Sequence, residues 1–285
     1  MAYPDVVSPE KWLDARRDLL AKEKALTKAR DELSIDRRRL PMVLVEKEYT
    51  FTGPDGPVRL LDLFGDSRQL VIQHFMFPPE WDAGCSSCTA GVDELSPGLL
   101  DHLRARDTEF AVVSRAPIEK LLAYKKSRGW DITWVSSFGS DFNYDFHVSL
   151  DASVTPVMFN YRNADELAGA GFEWTLAEPN EQPGMSVFLR DGDQIFHTYS
   201  TFGRGTEQMG GAYGVLDMTA LGRQEEWEEP KGPGHRRRAQ ADPGLLQLTP
   251  QAPVGHAGDR KRPGTSGRNR RRTRSAGLTR ACPAG

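Results

Sequence analysis

Trp12, Leu19, Leu26 and Leu33 recur every seven residues, with Leu13 and Leu20 beside them, among Lys, Arg, Asp and Glu. Ser8-Pro9-Glu10 stands ahead of this stripe as a helix start, serine as the cap and proline at the first helical position. The pattern predicts an amphipathic helix over 8–34 that lays its apolar side on its own domain. Four heptads also reach the threshold for a coiled coil.

Farther on the period shortens to that of strands. Residues 43–51 (VLVEKEYTF) are rich in β-branched and aromatic residues and end in the turn sequence Gly53-Pro54-Asp55-Gly56-Pro57. Residues 70–77 (LVIQHFMF) are apolar on both alternating faces, which predicts a strand in the middle of a sheet with helices on each side. Helical spacing returns after Ser96-Pro97, a strand at 109–114, a helix at 117–129 and a strand at 131–136. Strand alternating with helix is the signature of parallel βαβ units. Residues 137–182 scatter aromatics without a period and read as an insertion with its own packing. MSVFLR and QIFHTYS then flank Asp191-Gly192-Asp193, a hairpin turn. The expected fold is α/β, a central mixed sheet flanked by helices, in a domain spanning 40–229.

Composition divides the chain at Pro230. Residues 231–285 hold 13 Lys+Arg against 2 Asp+Glu and no Phe, Tyr or Trp, whereas residues 1–230 hold 24 against 38. Such a basic Gly/Pro/Arg-rich segment cannot bury enough apolar surface to offset ordering, so it is expected to be a disordered tail. Arg236-Arg237-Arg238 and 268–274 (RNRRRTR) offer charge for non-specific contact with nucleic acid and nothing that reads a base sequence. The abrupt change also fits a shift of reading frame in the gene. The N-terminus has no apolar stretch of the length a signal peptide needs, and the longest apolar run, 70–77, is far short of the roughly 20 residues of a membrane span, so a cytoplasmic protein without membrane partners is expected.

Of three cysteines, Cys85 and Cys88 form a Cys-x-x-C pair just past the central strand, while Cys282 lies in the basic segment. At the first turn of a helix one sulfur of such a pair is exposed and the other faces in, and the free N–H groups and helix dipole stabilise a thiolate. Cys85 is the expected nucleophile and Cys88 the thiol that resolves its mixed disulfide. Glu80 and Asp82 oppose that charge. Structural zinc wants about four ligands and no second pair exists; a soft metal would need His74 or His197 beside the sulfurs. Pro78-x-x-x-Asp82-x-x-Cys85 has the spacing of the peroxiredoxin motif with a carboxylate in place of its threonine, which ranks a thiol peroxidase second to exchange, beside a non-enzymatic metal- or partner-binding module as the other alternative. His74 and His197 read as structural histidines before catalytic ones.

HFMFPPEWDAGCSSC, FHTYSTFGRG and DMTALGR resemble the family catalogued as domain of unknown function 899, whose members are described as dithiol-disulfide oxidoreductases. The resemblance covers about 6–228. It implies a thioredoxin-like fold, a redox role for Cys85 and Cys88, and protein or small-molecule thiols and disulfides as partners, with no cofactor. It also implies that Pro183, just before the hairpin strand, stands where thioredoxin-like proteins keep a cis-proline facing their cysteines. Trp81, within the first of those stretches, and His74 complete the candidates in support.

Overall fold

The computed structural model describes residues 4–176, 179–209 and 211–219. The acidic run 225–229 and the basic segment 231–285 lie outside the described residues. The first helix, α1 (Pro9–Arg39), starts where Ser8 accepts a hydrogen bond from the Lys11 N–H and runs five residues past the predicted end. Arg37, Arg38 and Arg39 in its last turn suit the negative end of the helix dipole. The stripe does not pack on the domain as expected: no residue of α1 is buried, and Trp12 is 60% and Leu26 52% exposed. Arg16, Glu23 and Arg30 interrupt the apolar face from within, and charges at those positions make the helix a poor lid for a hydrocarbon core. Its C-terminal end touches the domain through the Arg37 guanidinium, 5.4 Å from the centre of the Tyr199 ring.

The segment 43–51 is not one strand. It divides into β1 (Val43–Leu44) and β2 (Thr50–Gly53), which belong to opposite sides of the same eight-stranded sheet. The break falls at the polar centre, residues 45–49, which belong to no strand: Lys47 donates to Asp141 and Asp145, and Tyr49 to Asp145 at 2.8 Å. β2 turns into β3 (Gly56–Arg59), and β4 (Gln69–His74) follows. Then come α2 (Ser86–Asp93), α3 (Pro97–Arg104), β5 (Thr108–Ser114), α4 (Ile118–Arg128) and β6 (Thr133–Ser136). β4, β5 and β6 pair in parallel, as two βαβ crossovers require.

The next stretch contains α5 (Phe142–Asp145), β7 (Ser149–Leu150), β8 (Met158–Phe159), β9 (Arg162–Asn163), α6 (Ala164–Gly169) and β10 (Asn180–Glu181). Val148, Leu150, Val157, Phe159 and Leu167 form a cluster of their own with Phe202, while Phe142 and Phe146 enter the main core. The hairpin β11 (Gly184–Asp191) and β12 (Gln194–Phe202) turns at Gly192, whose φ of +59° is costly for a residue with a Cβ. A short helix, α7 (Gly211–Leu216), follows. Strand order is β1-β12-β11-β4-β5-β6-β2-β3, with the hairpin antiparallel to β4.

Alternation along β4 divides the interior. Leu70 and Ile72 face Phe51, Phe64, Phe142 and Phe188 on one side of the sheet. Phe75 and Phe77, continuing the other parity, pack with Cys88, Val92, Leu121 and Trp134 beneath α2 and α4. A parallel strand pair and an antiparallel hairpin around a central strand that leads into a Cys-x-x-C helix is a thioredoxin-like α/β fold.

Candidate functional site

β4 ends at His74; Pro78 and Pro79, which lack backbone donors, keep any pairing from resuming past Phe77, and the chain loops to Gly84 before α2 begins. Cys85 is the N-cap residue of α2. Its N–H donates to the Met76 carbonyl at 3.0 Å, which ties the start of the helix to the end of the strand. Thr89, one turn on, sends both its N–H and its hydroxyl to the Cys85 carbonyl and holds the Tyr124 hydroxyl at 3.0 Å, locking the turn onto α4. Gly84 has no room for a side chain: a Cβ there would lie 2.7 Å from Phe75 Cζ. From α4, Lys120 donates to the carbonyls of Pro79 (2.8 Å) and Trp81, so a single ammonium fastens the loop ahead of the cysteines.

The two thiols are free, and their settings differ. Cys85 is half-buried, Cys88 buried. A hydrogen bond from the Cys88 thiol, helped by the N–H groups of Cys88 and Ser87, lowers the Cys85 pKa to about 6 against the opposing effect of burial. The same hydrogen bond, with burial and the charge of Cys85, pushes Cys88 well above the ordinary thiol range. Glu80 and Asp82 are both exposed, so solvent screens their charge from Cys85. Among the described residues, no group of three or more His, Cys, Asp or Glu side chains is placed to hold a metal ion.

The supporting candidates divide. Pro183 directly precedes Gly184, which pairs with His74, so it sits at the end of the sheet from which the cysteine loop leaves. Its carbonyl accepts from the Gly203 N–H, and the neighbouring Gln182 N–H donates to Val148. Beside it the buried Glu181 carboxylate takes hydrogen bonds from Arg115 at 2.8 Å, Ser149 at 2.7 Å and Asn143 at 3.4 Å, while burial still holds its pKa above the usual range. Trp81 is 38% exposed in the loop. His74 does not join the thiols: its ring lies on the other side of the sheet against Phe142 and Phe146, and its Nε2 is 2.8 Å from Ser186 Oγ. Ser186 continues to Ser200, and Ser200 to the half-buried His197 at Nε2, 2.7 Å away, a chain across three strands. Burial pushes His74 down to about 3, so it stays neutral.

Lys120, Thr89 and Tyr124 went unread in the sequence because they act from 35 or more residues away or through the backbone. Thr89 alone left a trace, a hydroxyl one turn after Cys85.

The sequence profile of the family described as "Bacterial protein of unknown function (DUF899)" matches residues 1–241. No curated protein sequence matches the chain. Among solved structures, peroxiredoxin Q of Xanthomonas campestris is 11% identical with a TM-score of 0.38, over 60% of this chain and 91% of that one. Peroxidoxin BcpB from Mycobacterium tuberculosis is 14% identical with a TM-score of 0.39, over 60% and 93%. Reduced Prx3 from Vibrio vulnificus, in complex with H2O2, is 14% identical with a TM-score of 0.34, over 57% and 83%.

Proposed function

The chain belongs to the bacterial family DUF899, whose description assigns no function, and from the site itself we propose that it is a thiol-disulfide oxidoreductase working through Cys85 and Cys88. The observation that carries this reading is the split between the two thiols: one half-buried with a pKa of about 6, its neighbour buried and held protonated.

The Cys85 thiolate attacks one sulfur of a substrate disulfide, forming a mixed disulfide and expelling the other substrate sulfur as a thiolate. Cys88 gives up its proton, to the departing thiolate or to water, and attacks Cys85 Sγ. The Cys85–Cys88 disulfide forms, the second substrate thiolate leaves, and two electrons have passed from the protein to the substrate. In this reading Pro183, at the end of the sheet from which the cysteine loop leaves, and the partly exposed Trp81 of that loop would bound the place where substrate docks. A peroxidase reading lacks a hydroxyl at Asp82, an exposed carboxylate in this chain.

The test is a glutathione redox titration with alkylation and mass readout, together with Cys88→Ser incubated with a disulfide substrate. A reversible two-electron transition within roughly −120 to −270 mV, and a mixed disulfide trapped on Cys85, are expected. A pair that stays reduced throughout, or rapid consumption of hydrogen peroxide with no exchange, overturns the proposal.

A further inference from the structure

Thirteen of the 22 exposed large apolar residues among the described residues fall between Val6 and Leu44. Most lie on α1, which buries nothing although it has 31 residues. In proteins a helix draws most of its stability from packing an apolar face. This one has such a face, and among the described residues no tertiary contact covers it.

The charges within the face say what covers it. Arg16 and Glu23 sit between the line of Trp12, Leu19 and Leu26 and that of Leu13 and Leu20, joined at 2.8 Å across two turns. Charged groups inside an otherwise apolar seam set register and orientation. In a parallel pair of these helices Arg16 would face Arg16 and Glu23 would face Glu23. In an antiparallel pair with Leu19 set against Leu20 of the other copy, each Arg16 meets the other's Glu23. That arrangement sets opposite charges against each other, and a two-fold axis repeats it on both sides. We propose that α1 is the interface for a second copy of this chain, in an antiparallel helix pair registered by Arg16 and Glu23. The inference stands apart from the redox reading, which uses no residue of α1.

Sedimentation equilibrium on the full chain, over a dilution series, tests it. The wild type is expected to be dimeric. Arg16→Glu and Glu23→Arg, each of which puts like charges face to face at two symmetric places, should raise the dimer dissociation constant by roughly 10–100-fold. The double variant Arg16→Glu/Glu23→Arg should return it to within roughly threefold of wild type, which also shows that the single variants fail by charge and not by unfolding. A monomeric wild type, as when residues 220–285 cover the stripe instead, overturns the proposal. So does a dimer indifferent to either single reversal, or a double variant no better than the singles.

Discussion

Replacing Cys88 by alanine tests the origin of the low Cys85 pKa. The backbone N–H groups of Ser87 and Cys88 survive this change; the thiol that supplies the largest stabilising contact does not. A hydrogen bond to a charged group contributes about 1.5–3 kcal/mol. At 1.36 kcal/mol per pH unit, its loss should move the Cys85 midpoint from about 6 to roughly 7–8. The thiolate fraction at pH 7 would then fall from roughly 90% to roughly 10–50%. Cys88→Ser keeps a donor at the same place and should titrate close to the wild type. The assay is iodoacetamide alkylation of Cys85 against pH, in a Cys282→Ala background so that only the pair reports. Equal midpoints for the alanine and serine variants would refute the reasoning, since the Cys88 side chain would then contribute nothing.

Other changes probe the frame around the pair. Gly84→Ala drives a methyl group into the Phe75 ring, and overpacking of this kind should remove about 1–3 kcal/mol of stability; an unchanged thermal midpoint would contradict the contact. Lys120→Met retains the aliphatic stem and strips the carbonyls of Pro79 and Trp81 of their donor, with an expected loss of about 1–3 kcal/mol in urea unfolding; a variant as stable as wild type would show that the clamp carries no weight. His74 has a folded pKa of about 3 against 6.5 when free, so the unfolded chain binds the extra proton and stability falls as pH drops from 6.5 toward 3. The slope from this residue approaches about 1.4 kcal/mol per pH unit, and His74→Gln should flatten the acid limb by that amount; identical limbs would rule the assignment out.

Where the chain's information is local, the sequence was sufficient. Residues 70–77 announce the central strand because burial on both faces demands apolar residues at nearly every position, Gln73 and His74 being the two exceptions, and β11–β12 follow from a turn that needs Gly192. The cysteine pair is legible because Cys-x-x-C places both sulfurs on one helical turn. Pairing at a distance is not legible. The stretch 43–51 reads as one strand because propensity does not register that Lys47 and Tyr49 have partners nearly 100 residues away. The leucine period of α1 is the same whether it faces a core or another helix, and only the burial of each residue distinguishes the two. The His74–Ser186–Ser200–His197 chain depends on three strands lying side by side, and a lone histidine in an apolar run gives no sign of the serines that receive it.

The coupling between the two thiols implies an order of events. Cys88 must ionise to resolve a mixed disulfide, yet in the resting pair it is held protonated, chiefly by its hydrogen bond to Cys85, then by burial, then by the Cys85 charge. Once Cys85 is joined to a substrate sulfur, it carries no charge and no longer accepts the thiol proton as a thiolate does. Two of the three causes vanish, and burial alone remains to oppose ionisation, partly offset by backbone N–H groups. Cys88 is therefore released for attack by the event that requires it. Replacing Cys85 by alanine reproduces the loss of charge and acceptor together, so Cys88 in Cys85→Ala should titrate below its wild-type position, read by pH-dependent alkylation in the Cys282→Ala background. A Cys88 midpoint equal to or above that of the wild type would mean that burial, not its neighbour, holds the proton, and resolution would then need a base from outside the pair.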